Sequence, residues 1–167
     1  MTDTMSRRRT TSGRGAKGVT LAEMLVVIAI IGFFLLISIP AVANYLRGAN
    51  VRTAADQLVK DLQSCRYIAV TTRQTRTLSL GSPVPATSYQ YTDVRGNVQI
   101  VTLPGQGTVT IDSASNFPVT FNSLGGLQGS PATATVTGRI TPTRSHIYTI
   151  SVEITGKVTK AYNFNAP

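Results

Sequence analysis

The chain has 167 residues, 42% of them hydrophobic, with 16 Lys+Arg against 7 Asp+Glu and a net charge of +9. That length suits one ordinary domain plus an appendage. One cysteine excludes an internal disulfide, and with a single histidine beside it no Cys/His cluster has metal-ligand spacing.

Residues 1–18 are polar, basic and rich in Gly, Ser and Thr. Arg7, Arg8, Arg9, Arg14 and Lys17 lie here with Asp3, which leaves eleven cations against six acids, +5, for the rest. The high basicity is therefore partly a property of this tail, which is expected to be disordered. A basic tail ahead of an apolar run holds its end on the cytoplasmic side, and this explains the cations better than nucleic-acid binding by the tail does.

From Val19 to Ala43 the strongly polar side chains are Thr20, Glu23 and Ser38. As a helix this stretch would extend about 37 Å, against about 30 Å of bilayer hydrocarbon, so it can span with some tilt. Pro40 removes one backbone donor and predicts a bend. Glu23 is the anomaly: a carboxylate inside such a run costs roughly 2.5–3.5 kcal/mol at mid-helix.

The helical pattern continues to about Thr72. Val51, Ala55, Leu58, Leu62, Cys65 and Ala69 recur at steps of three and four, one buried stripe. Cys65 is read as packing within it. Arg52, Asp56 and Lys60 alternate in sign along the solvated side.

After Arg76 the period falls to two. Strands are expected at Thr77–Leu80, Tyr89–Val94, Val98–Leu103, Thr108–Ile111, Val119–Phe121, Ala132–Thr137, Ile147–Ile154 and Val158–Phe164. Arg95-Gly96-Asn97 suggests a hairpin turn, Ser82–Pro85 a loop, and Asn122–Gly129 is too glycine-rich for a strand interior. With no second helix available, the Val51–Ala69 stripe is the natural cover for the sheet. In the last hairpin Tyr148, Ile150, Val152 and Ile154 share one face, as do Val158, Tyr162 and Phe164. A three-residue loop, Thr155-Gly156-Lys157, puts both sets on the same side, pairs Ile154 with Val158 and Ile150 with Tyr162, and sets Lys160 opposite Val152 with Lys157 at the tip.

The fold class that follows is α+β: a long N-terminal membrane-spanning helix packed by its C-terminal half on an all-antiparallel β head. The expected divisions are a leader at 1–18, a membrane segment at 19–43, an amphipathic helix half at 44–75 and the head at 76–167.

Gly18-Val19-Thr20-Leu21-Ala22-Glu23 resembles the processing motif of type IV prepilins and type II secretion pseudopilins. The resemblance implies cleavage between Gly18 and Val19 by a prepilin peptidase, N-methylation of Val19, a glutamate at the fifth mature position (Glu23) and a proline at the twenty-second (Pro40). Val19 stands where phenylalanine is commoner. The head is similar to the GspH/FimT type of minor subunit, through its all-β character, Phe121…Gly125-Gly126 and Gly156-Lys157-Val158. The implied function is a non-enzymatic minor subunit of a type II secretion pseudopilus, with a type IV pilus minor pilin as the alternative. The implied partners are other pilins or pseudopilins, the prepilin peptidase, an inner-membrane assembly platform and the lipid bilayer. The implied location is the inner membrane, single-pass, with the head outside the cytoplasm, and then the filament. In that model Glu23 meets the Val19 amine of a neighbouring copy. Opposite charges at about 4 Å are worth on the order of 4 kcal/mol at an effective dielectric near 20, which offsets much of the burial cost.

Three other readings compete. Ala41-Val42-Ala43 after the apolar run resembles a signal-peptidase site, which would release a soluble protein beginning at Asn44, and Ser6-Arg7-Arg8-Arg9-Thr10 is a weak twin-arginine echo. Some FimT-like minor pilins bind DNA through C-terminal cations; here Arg139, Arg144, Lys157 and Lys160 are the candidates, though no aromatic residues interleave with them as a stacking platform. An enzyme is disfavoured. Asp93, Asp112 and Glu153 are scattered, His146 lacks a legible partner, and Gly125-Gly126 lacks the Lys-Ser/Thr of a phosphate loop. No cofactor, catalytic residue or metal ligand is expected.

Overall fold

The computed structural model describes residues 18–105 and 107–165; the expectation of disorder for the leader concerns residues outside this range. The chain divides into two compact units, with the boundary between Ile39 and Pro40. One helix, α1 (Leu21–Thr72), supplies most of the described part of the first unit and the opening element of the second.

In the first unit α1 starts on a defined cap. Thr20 Oγ1 accepts the Glu23 backbone N–H at 3.2 Å, and Met24 N–H donates to the Thr20 carbonyl at 3.2 Å. Thr20 is thus the N-cap and Glu23 the third helical residue, the Thr-x-x-Glu spacing of a capping box, with the acid in the first turn where the helix dipole favours it. Every side chain from Leu21 to Ile39 is exposed, and the most apolar window of the helix reaches a mean hydropathy of 2.9. Such a surface calls for lipid or other apolar helices around it.

In the second unit α1 presents its small-residue stripe to a core. Val51, Ala54, Ala55, Leu58, Leu62, Cys65, Ile68 and Ala69 are buried, which includes all six stripe residues expected from the spacing. The helix stops at Thr72 because Arg73 turns into the left-handed region at φ 53°.

Eight strands follow: β1 (Arg76–Leu80), β2 (Ser88–Thr92), β3 (Val98–Thr102), β4 (Val109–Ser115), β5 (Val119–Phe121), β6 (Ala132–Thr141), β7 (Arg144–Val152) and β8 (Val158–Asn165). They form two four-stranded antiparallel sheets, in the orders β3-β2-β1-β5 and β4-β6-β7-β8. A bridge between Ala86 and Ile111 links the two. The chain lays down β1–β3, starts the second sheet with β4, returns to the first with β5, and finishes the second. One core serves both sheets: the α1 stripe packs with Leu78, Tyr89 and Phe121 of the first and with Ile111, Val136 and Ile150 of the second.

Gly138 explains how closely helix and sheet approach. A Cβ at that position would lie 2.2 Å from Val51 Cγ2, so β6 can pass under α1 only where it lacks a side chain.

The last hairpin corrects the expected register. The pairs are Val152 with Val158, Ile150 with Lys160, and Tyr148 with Tyr162. β7 ends at Val152, and Ile154 is exposed in a five-residue loop, Glu153–Lys157. Glu153 N–H donates to the Lys157 carbonyl and Gly156 N–H to the Glu153 carbonyl, with Gly156 at φ 78°. Tyr148, Ile150 and Val152 share a side with Val158 and Tyr162 as expected, while the register was off by two residues, because a slip of two leaves each paired side chain on its own side. Lys160 therefore opposes Ile150, not Val152. The side chain of Phe164 lies outside the described residues.

Candidate functional site

The N-terminal constellation reads in order along the chain. Gly18 and Val19 are exposed and precede the helix; a Cβ at Gly18 would meet nothing within 4 Å. The Gly18–Val19 peptide is thus a non-helical, open bond one residue before the cap. Glu23 is exposed at the start of the apolar surface, the fifth residue after that bond. Pro40 lies within α1, exposed. Sequence reasoning missed Thr20 as the helix cap, although Thr-x-x-Glu was legible as a capping-box spacing.

The four candidate cations of the head do not form one patch. Arg139 pairs with Ser145, and Arg144 with Thr141, at the tip of the β6–β7 hairpin. Lys157 sits in the β7–β8 loop, its ammonium 3.7 Å from Glu153. Six residues of β7 separate the level of Arg144 from that of Ile150 and Lys160, about 20 Å at strand rise. Lys160 leaves the loop altogether: its ammonium bonds the Asp56 carboxylate on α1 and lies 5.3 Å from the Tyr148 ring centroid. Asp56 also receives Arg52 at 3.8 Å.

The scattered acids have structural partners. Asp93 Oδ1 accepts the N–H groups of Arg95 and Asn97, both at 2.8 Å, closing the β2–β3 turn; the Asn97 bond is the main reason its carboxyl titrates below the usual range. Asp112 takes the Thr110 hydroxyl. Asp61 accepts the Tyr89 hydroxyl at 2.5 Å. Burial, then that hydrogen bond, push the Tyr89 phenol well up. Cys65, buried nearby, is pushed up to about 12, mainly by burial, with the Asp61 charge adding to the effect and Arg76 opposing it. A thiol held protonated in this way is packing material, not a nucleophile. His146 is pushed down by partial burial and by Arg144. Among the described residues no group of three His, Cys, Asp or Glu is placed to hold a metal.

At the far end of α1 the two glycine segments meet. Arg66 Nε donates to the Gly125 carbonyl at 2.9 Å and its Nη2 to the Thr155 carbonyl at 3.3 Å. Leu127 N–H reaches the Ile154 carbonyl at 2.9 Å. Asn122 Oδ1 holds the first loop from inside by accepting the N–H groups of Leu124 and Gly126.

The model of the prokaryotic N-terminal methylation motif matches residues 13–39, the stretch that holds the open Gly18–Val19 bond, the Thr20 cap and Glu23. Among solved structures, a crystal form of the type IV minor pilin FimU of Pseudomonas aeruginosa is similar at 16% identity and a TM-score of 0.53, covering 70% of this chain and 92% of that one. The chain has a pilin-like fold. A second crystal form of FimU aligns at 16% identity and a TM-score of 0.49, over 66% of this chain and 91% of that one. A search of curated protein sequences finds no match. The FimU likeness is one of fold: a long helix packed on an antiparallel head. The apolar helix is long and apolar enough to cross a membrane.

Proposed function

We propose that the chain is made as a prepilin, spans the inner membrane once with its head outside the cytoplasm, is cut between Gly18 and Val19, and enters a pilus-like filament as a minor subunit of the GspH/FimT type. The reading is carried by one juxtaposition: an open Gly-Val bond, a capped helix start and a carboxylate at the fifth position of the cut chain, ahead of a wholly exposed apolar helix. A cut there creates an amine that can pair with Glu23 of a neighbour. The pairing offsets the cost of burying the acid and sets axial register between subunits. The apolar helix then serves twice, as anchor before assembly and as filament core after it.

A type II secretion pseudopilus is the assembly to which the head's sequence leans. The FimU likeness supports a type IV pilus as the alternative, since FimU is a minor pilin. Genomic neighbours separate the two: a secretion ATPase with pseudopilins, or pilus retraction and competence genes.

The test is Glu23→Ala in the native host, followed through membrane fractions and sheared filaments. The variant is expected to insert and be cleaved as wild type does, yet to be missing from the filament fraction. Wild-type incorporation would overturn the pairing.

A further inference from the structure

The second unit opens with a helical stretch whose larger apolar side chains stay exposed. Val42, Tyr45 and Leu46 are exposed, Tyr45 by 76%. Arg47 follows, and its Nη1 donates to the Ile140 carbonyl at 3.1 Å. That bond ties the β6–β7 hairpin to α1, and the fit is close: a Cβ at Gly48 would lie 3.4 Å from Ile140 Cδ1 and from His146 Cε1. The hairpin tip brings Arg139 and Arg144, both exposed, to this end of the head. Arg47, Arg139, Thr108 and Thr141 line a groove of about 510 Å³. No carboxylate lines it; on α1 the first acid after Arg47 is Asp56, nine residues on, about 13 Å away along the helix.

Depth follows from the covalent chain. The apolar run ends at Ala43, and Arg47 is four helical residues later, about 6 Å further along the axis. The headgroup layer on each side of the hydrocarbon is of similar thickness, about 5–8 Å. An exposed tyrosine at the end of the apolar run is the side chain suited to that boundary. Cations and hydroxyls one turn later meet the phosphate layer, where anionic lipids attract Lys and Arg over about a Debye length.

We propose that the groove between Arg47 and the β6–β7 hairpin seats the phosphate of an anionic phospholipid headgroup and holds the head against the outer face of the membrane before assembly. The inference rests on the reading that Val19–Ala43 spans the bilayer. The occupant is a lipid and not a soluble anion, because Arg47 follows the apolar run by only four residues of the same helix, within the thickness of a headgroup layer from its end. Entry into a filament would then have to break these contacts, so anionic lipid would retard extraction.

The test uses the full chain in nanodiscs and follows amide exchange at Thr141, Thr143, Arg144 and Ser145. The discs contain phosphatidylcholine alone, phosphatidylcholine with one-third phosphatidylglycerol, or phosphatidylcholine with inorganic phosphate or a duplex oligonucleotide in solution. Exchange at the tip is expected to slow at least about threefold with phosphatidylglycerol only, less so at high salt, and to be restored in the R139Q/R144Q variant. Unchanged exchange in the β7–β8 core amides of that variant certifies its fold. Equal tip exchange with and without phosphatidylglycerol overturns the inference. Slowing by phosphate or the oligonucleotide without phosphatidylglycerol overturns the lipid assignment. The amides of Leu21–Ile39 report separately on the span: free exchange there would remove the membrane reading and this inference with it, whereas protection there with an indifferent tip would sink the lipid seat alone.

Discussion

Gly156 faces the carbonyl of Gly125 so closely that a Cβ on Gly156 would lie 1.9 Å from the Gly125 oxygen. Both glycines have positive φ, 78° and 84°, and Arg66 donates to that same oxygen. The two glycine segments that mark the head's resemblance are thus one junction, clamped to the end of α1. Gly156→Ala must move backbone as well as adopt a strained φ, so a loss of about 3 kcal/mol or more is expected. Gly126→Ala, whose Cβ would meet Ile154 O at 3.2 Å, is expected to cost less. Denaturant unfolding of the full chain in detergent, followed by near-UV tyrosine signal, ranks the two.

The contact of Gly138 with Val51 predicts a specific coupling. Gly138→Ala overpacks the seam between α1 and β6 and should cost about 1–3 kcal/mol. Val51→Ala alone opens space and also destabilises. The double variant should be more stable than the sum of the two losses, since the new methyl fills the space the valine left. Strict additivity in the same unfolding assay would count against the close approach.

Tyr89 and Cys65 make the head sensitive to alkali. Both are held protonated in the fold, the thiol up to about 12 from an ordinary 9.0. Above about pH 9 the unfolded chain binds fewer protons than the folded one, so stability falls as pH rises, by about 1.4 kcal/mol per pH unit for each such group. Cys65→Ala should remove the part of the slope that begins near pH 9, and Tyr89→Phe the part that begins near pH 10. Tyr89→Phe should also cost about 1.5–3 kcal/mol at neutral pH, because Asp61 loses its hydrogen bond.

Lys160 reaches across from β8 to Asp56 on α1, with 28% of its own side chain and 39% of the aspartate's exposed. Solvent and salt screen such a pair, so Lys160→Met should cost at most about 1 kcal/mol, and less at 1 M salt. Affinity of the head for duplex DNA that fell sharply on this substitution alone would assign Lys160 a role beyond the Asp56 pair.

The helix was legible in the chain because its period is strong: Val51, Ala55, Leu58, Leu62, Cys65 and Ala69 are all buried where spacing put them. Each expected strand exists, and Val119–Phe121 has the expected ends. The longer strands drifted. β4 runs on to Ser115 past a bulge between Ile111 and Ser113, through a serine-rich stretch, and β6 runs on to Thr141 through Gly138 and Arg139, which carry no strand signal. The division into two sheets was not legible, because the return of β5 to β1 across β4 is a non-local pairing that no local period encodes. Nor was the Lys160–Asp56 pair, which spans 104 residues, or the Tyr89–Asp61 bond. At the N-terminus, residue order alone carried the proposal of a processing site, and the Thr-x-x-Glu spacing that marks the Thr20 cap was legible but overlooked until its hydrogen bond was seen.

The most direct test is the identity of the first residue in the assembled protein. Intact mass and N-terminal fragmentation of the chain recovered from sheared filaments should give a methylated Val19 as the terminus, with residues 1–18 absent. A chain that begins at Met1 would leave Glu23 without the amine it is proposed to meet, and one that begins at Asn44, after Ala41-Val42-Ala43, would have lost Glu23 itself; either would contradict a filament subunit built on that pair.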